Sequence, residues 1–481
     1  LIKTTEPFLN YEQKSGRQLL YTPVIKGTII LTIAGLLCRI LGFYYRIFLN
    51  SHIGSYGMGM LQLVLPLCGI AFSVCMCGFN SAISKYTAQT HGNINVLLGG
   101  LLMVFRYPVY FLGMCHISYE IADKLMFNAD CAPLIQIIAI GIPLSAIHSC
   151  ICGYYYGCKK TFIPAISQII EQLNNIQCDN LLSPNFWKSG NFNCTDALYG
   201  NIAGEVCADI FCIGCVYVNN KQNNKNNKII RNNNSCSARK TSYIRVIALY
   251  ALPLNLNSLL LHLFESAEAI LIPAQLIIYG LSKENAVSTY GIISGMTLPL
   301  LLFPSAITNS MSVMLLPKCQ KTTLYNVVQC NHNSAPVREY MYAPWYNELC
   351  AIYINIGRLG ATLFHEPSVY NYTIMLACIC PFLYVKTSLA SILNGLNMTA
   401  RTCAYSITGL AIRIASLILL VPGIGISGYI YGLIISNILV CALHYIKLYK
   451  MYHFKPDIIN NIITPLSLSI IAVTSSNIDL D

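Results

Sequence analysis

Arg39 and Arg46 lie inside an apolar run long enough to span a bilayer, residues 26–57, KGTIILTIAGLLCRILGFYYRIFLNSHIGSYG. A charge near the bilayer centre costs roughly 2.5–3.5 kcal/mol on insertion scales, so such residues face a bundle interior or a wet cavity. A spacing of seven is nearly two helical turns and puts both arginines on one face, about 10 Å apart along the axis. Further ionisable residues stand in or beside later apolar runs: Arg106, Glu171, Glu265, Glu268, Lys386 and Arg413. Glu265 and Glu268, three apart, share a helix face. The guanidinium fork matches phosphate oxygens, so arginines gathered on a cavity suit an anionic phosphate group. Acidic residues alone would point to cations or protons, and for any one Arg or Glu the plain alternative is an ion pair that only holds helices together.

The elements that carry these residues follow from composition. Hydrophobic residues make up 55% of the 481 and charged ones only 10%, against about 25% charged in a soluble domain. This predicts an all-α polytopic membrane protein, with room for about 12–14 transmembrane helices of about 20 residues each. Apolar segments fall near 26–49, 58–84, 94–118, 132–157, 195–218, 244–279, 286–316, 369–396, 402–421, 424–446 and 458–477. Segments 161–183 and 343–365 carry polar residues that an isolated helix would not take into lipid. If both cross, all the Lys/Arg clusters fall on one side, the positive-inside pattern with a cytoplasmic N-terminus, so both are assigned as crossings. The same pattern accounts for the formal charge of +11 without nucleic acid.

Most of the 22 cysteines lie within apolar runs, where free Cys packs as a small hydrophobe, and no linear Cys/His set has metal-ligand spacing. The nine His have no Ser or Cys partner at a recognisable spacing and no Gly-rich phosphate loop is present, so no enzyme, cofactor or metal is expected. A coupling ion, H+ or Na+, is left open.

The chain also repeats itself across a Lys/Asn-rich linker. LPL at Leu65–Leu67 precedes Lys85 with nineteen residues from Pro66, and LPL at Leu298–Leu300 precedes Lys318 with nineteen from Pro299. Pro143, Gly157 and Thr161 are spaced fourteen and four, as are Pro381, Gly395 and Thr399. Two matched pairs at nearly one offset predict a duplicated six-helix unit with a site between the copies. The expected organisation is a cytoplasmic segment 1–23, a first lobe 24–218, a cytoplasmic linker 219–243, a second lobe 244–450 and an additional C-terminal helix within 451–481. Pro66, Pro143, Pro299 and Pro381 are hinge candidates, since proline frees a carbonyl and kinks a membrane helix.

The strings KGTIILTIAGLLCRILGFYYRIFL, GYYYGCKKTFIPAISQIIEQ, ALPLNLNSLLLHLFESAEAILIP, YGIISGMTLPLLLFPSAI and CPFLYVKTSLASILNGLNMTA resemble the stage V sporulation protein B branch of the oligosaccharide flippases. That branch belongs to the multidrug/oligosaccharidyl-lipid/polysaccharide (MOP) exporter superfamily. The resemblance implies a V of two six-helix lobes around a cavity that opens alternately to each side of the cell membrane. It implies transport of a lipid-linked glycan, such as a peptidoglycan precursor, by a monomer, with the pyrophosphate held by cavity arginines. Arg39 corresponds best to a first-helix arginine of related lipid II flippases, and Arg46 lies one position out of register with the next. Glu171 and Glu268 stand where the branch carries acidic residues, and Arg413 completes the candidate substrate-binding set. Two other readings stay open: a cation-coupled multidrug exporter on the same fold, and a non-transporting scaffold for cell-wall or spore assembly.

Overall fold

The computed structural model describes residues 23–75, 77–90, 92–104, 108–186, 193–227, 240–303, 357–377, 379–396 and 398–452. Arg106, Pro304, Lys318, the core of the 219–243 linker, most of the 343–365 crossing and the 458–477 helix lie outside them. Among the described residues there is no strand.

The helices are α1 (Pro23–Cys75), α2 (Cys77–Gln89), α3 (Ile94–Val104), α4 (Pro108–Glu120), α5 (Ala132–Gly157), α6 (Phe162–Phe186), α7 (Cys194–Asn227), α8 (Lys240–Tyr279), α9 (Lys283–Tyr290), α10 (Leu298–Leu302), α11 (Ser368–Ala377), α12 (Cys380–Gly395), α13 (Thr399–Leu419), α14 (Val421–Ile424) and α15 (Ile426–Tyr452). A π-helical turn, Gly291–Thr297, joins α9 to α10. Seven described helices are long and apolar enough to cross a membrane, which with the absence of strands makes this a polytopic all-α membrane fold. Their apolar surfaces stay open where lipid would lie: Ile33, Leu36, Leu37, Ile40 and Tyr44 form one exposed stripe on α1 at helical spacing.

The predicted run 26–49 and residues 58–75 of the run 58–84 are joined in α1, interrupted at Gly54, whose φ of 66° suits a residue without Cβ. The run 94–118 takes in α3 and most of α4, and 369–396 takes in most of α11 and all of α12. The ambiguous segment 161–183 is a full helix, α6, packed along α7. Pro381 stands in the first turn of α12, where a missing N–H costs little. The matched glycines Gly157 and Gly395 both end their helices, α5 and α12.

One apolar core joins both halves of the chain: Met58, Leu63 and Val64 of α1 pack in the same cluster as Ile135, Ile272, Ile293 and Ile430. One close backbone approach between the halves is reciprocal. A Cβ added to Gly59 would run into the carbonyl oxygen of Val287, and one added to Gly291 would run into that of Ser55. Partners 55 and 287, like 59 and 291, are each 232 residues apart (287 − 55 and 291 − 59). The contact therefore has the self-complementary form of a two-fold interface, as copies of one unit would generate. Small residues let membrane helices meet backbone to backbone in this way.

Because the two glycines are equivalent, Gly59→Val and Gly291→Val are each expected to lower the stability of detergent-extracted protein by at least the ~1–3 kcal/mol typical of overpacking. Gly214→Ala, where an added Cβ meets nothing within 4 Å, should leave it unchanged or slightly higher. Thermal unfolding followed by size-exclusion chromatography measures all three.

Candidate functional site

The arginine face of α1 is turned about a third of a turn away from the exposed apolar stripe. Arg39 and Arg46 are half-buried there. Arg46 reaches the other half of the chain, its Nη1 donating to the carbonyl oxygen of Gly295 at 3.3 Å. That carbonyl lies in the π-helical turn Gly291–Thr297, and the residue four positions on, Pro299, has no N–H to compete for it. Around this contact Phe43 packs on Phe303 and Phe364, with ring centroids 5.6 and 5.9 Å apart. Asn50 Nδ2 donates to the Phe364 carbonyl at 2.6 Å. Arg46 and Asn50 thus tie the middle of α1 to the second half of the chain through main-chain oxygens.

Glu268 and Arg413 come together within the second half. On α8 Glu268 shares the interior stripe of Ala269, Ile272 and Leu276, which fixes its carboxylate inside the bundle. Arg413 of α13 meets it at 3.1 Å, and the Tyr429 hydroxyl of α15 donates to Glu268 Oε1 at 3.0 Å. The contact to Tyr429 depends on α13 and α15 lying close, with Gly432 facing the Ser416 hydroxyl. Lys386 of α12 donates to Asn437 Oδ1 at 2.7 Å. This layer holds two cations against one carboxylate, and Arg413 Nε has no hydrogen-bond partner among the described residues. Glu265, one turn back, faces outward, its Oε2 2.9 Å from His262 Nδ1, which donates to it in the tautomer that carries the proton there.

Glu171 lies elsewhere, on α6 in the first half. Gly204 of α7 sits against the Glu171 carbonyl and the Asn175 side chain, and this approach brings Glu171 beside Glu205 and His148. The five residues singled out in the sequence therefore occupy three places: Arg39 and Arg46 on α1, Glu268 with Arg413 in the second half, and Glu171 in the first. The sequence reading missed His148, Glu205 and Asp209. The signal was present as a stripe on α7, where Glu205, Asp209 and Cys212 recur at helical spacing. Pro66, Pro143 and Pro299 all stand in continuous helix.

Residues 24–317 match the polysaccharide biosynthesis protein family. Stage V sporulation protein B of Bacillus subtilis (strain 168) is 23% identical over 437 residues, covering 87% of this chain and 82% of that protein. Sporulation protein YkvU of the same organism is 21% identical over 439 residues, covering 89% and 95%. Among solved structures, an outward-facing multidrug resistance MATE family transporter of the MOP superfamily superposes with a TM-score of 0.62 at 14% identity, covering 91% of this chain and 98% of the other. The branch resemblance drawn from the residues is thereby shown, and with it the membrane-transporter type of the chain: it belongs to the polysaccharide biosynthesis protein family and has the fold of the MOP superfamily.

Proposed function

We propose that the chain is a flippase that moves a lipid-linked glycan precursor across the cell membrane by alternating access, the anionic phosphate linkage engaging arginines of α1 while the lipid tail stays in the bilayer. The observation that carries this reading is the partner of Arg46. A neutral carbonyl leaves the guanidinium its full charge, and an arriving phosphate can displace that acceptor with a stronger, charge-assisted one. Arg413 differs, because Glu268 already balances it. In this reading Arg39 and Arg46 hold the phosphate, while Glu268 and Arg413 position α8 and α13. Glu171 belongs to a separate cluster and is left out of the phosphate site.

Exchange between inward- and outward-facing forms requires the substrate or a coupling ion to bind one form better than the other. The Gly59–Val287 and Gly291–Ser55 contacts supply a place where two lobes, 24–218 and 244–450, would rock as a monomer. The N-terminus is assigned to the cytoplasm by the distribution of Lys and Arg. No bond is made or broken in this scheme.

In cells depleted of their own lipid II flippase, the parent chain should restore growth. Arg39→Ala and Arg46→Ala, at matched membrane abundance, should each lower viable counts at least tenfold. Failure of the parent despite normal abundance removes lipid II as the substrate. Full rescue by both alanine variants removes the arginine-held phosphate from this reading.

The positioning role of the buried pair is checked separately by thermal unfolding. Glu268→Leu leaves Arg413 unpaired and should cost about 3–5 kcal/mol, whereas Glu268→Leu with Arg413→Leu should recover most of that loss.

A further inference from the structure

Away from the arginine face, three helices of the first half converge on one imidazole. Helix α5 supplies His148 and Cys152, one turn apart, α6 supplies Ser167 and Glu171, and α7 supplies Glu205, Asp209 and Cys212. His148 Nδ1 lies 3.3 Å from Glu205 Oε1, and Nε2 lies 3.0 Å from Ser167 Oγ, itself 3.9 Å from Cys152 Sγ. One ligand atom each of His148, Cys152 and Cys212 lies within 4.8 Å of the other two, and all three residues are buried. Bonds of 2.0–2.3 Å to nitrogen and sulfur set tetrahedral ligands about 3.5 Å apart, so a contraction of about 1 Å would close the set.

We propose that this cluster is a binding site for a thiophilic divalent cation of the Zn2+ type, ligated by the imidazole of His148 and the thiolates of Cys152 and Cys212. Binding releases two protons, one from each thiol, as two sulfur–metal bonds form. Glu205 then stands on the other ring nitrogen, the carboxylate–histidine arrangement that fixes ring orientation at metal sites.

A second observation comes from Asp209. It is 5% exposed, and neither carboxylate oxygen has a hydrogen-bond partner among the described residues. It stands between Glu205 and Cys212 on the α7 stripe, and its electrostatic neighbours are His148, Glu205, Cys212 and Glu171. Three carboxylates and two thiols thus surround one imidazole. A buried carboxylate without a partner is expensive, and a divalent cation one shell away offsets it. A packing role for the two cysteines would leave Asp209 unexplained. The site is independent of what the chain transports.

The test uses the full chain, purified in detergent, stripped with a chelator, loaded with Zn2+ and desalted. Elemental analysis should find one zinc per chain, and X-ray absorption at the zinc edge should find two sulfur neighbours and at least one nitrogen. Cys152→Ser with Cys212→Ser should lose the sulfur shell and weaken binding at least tenfold, while Cys38→Ser with Cys68→Ser should change neither. No retained zinc, a shell without sulfur, or full binding by the Cys152/Cys212 variant would each overturn the proposal. Should that variant not fold, the absorption spectrum of the parent decides alone, since a sulfur-free shell excludes both thiolates.

Discussion

A charged side chain inside an apolar bundle must be met by another protein group, because neither lipid nor apolar packing can solvate it. In this chain several of the described ionisable residues at membrane depth are accordingly found with partners drawn from other helices. Arg46 takes a carbonyl from across the molecule, Arg413 takes Glu268, Lys386 takes Asn437, and His148 takes Glu205 and Ser167. Each such pairing fixes the rotation of two helices about their axes, which apolar packing alone, tolerant of sliding, does not. The close glycine approaches follow the same logic. Gly204 lets α6 and α7 come near enough for their carboxylates to share His148, and Gly432 does so for α13 and α15 around the Glu268 layer.

The two halves resolve this requirement with opposite charge. In the second half two cations, Lys386 and Arg413, surround one carboxylate, while in the first, three carboxylates and two thiols surround one imidazole. A duplicated scaffold would begin with one polar layer in each copy, and divergence of those layers yields an anion-seeking half and a cation-seeking half. The reciprocal glycine contact, by contrast, keeps matching form in both, as expected where backbone geometry rather than side-chain chemistry is at stake.

Which parts of this were legible in the sequence follows from how far each signal reaches along the chain. Helix existence is local: the run 132–157 predicts α5 to the residue at its C-terminal end, and 402–421 lies close to α13. The merger across Gly54 was not legible, because the polar stretch Asn50–Ser55 reads as a gap between two spans although the helix continues through most of it. Charged residues in apolar runs were conspicuous, hence Arg39, Arg46, Glu171, Glu268, Lys386 and Arg413. Their grouping was not, since which helix lies beside which is set by packing. His148, Cys152 and Cys212 show the limit most clearly. Two lie one turn apart and the third on another helix, so no linear spacing betrays them.

The Arg46 contact carries a consequence for how this protein can change over generations. The acceptor is a main-chain atom of Gly295, so no replacement at position 295 can delete it. The proline four residues on withholds an α-helical amide that could compete for that oxygen. A lineage that regained an N–H at position 299 would set a competing donor on that oxygen and loosen the constraint on position 46. The pair that should vary together is therefore 46 and 299, two residues joined only through the carbonyl between them.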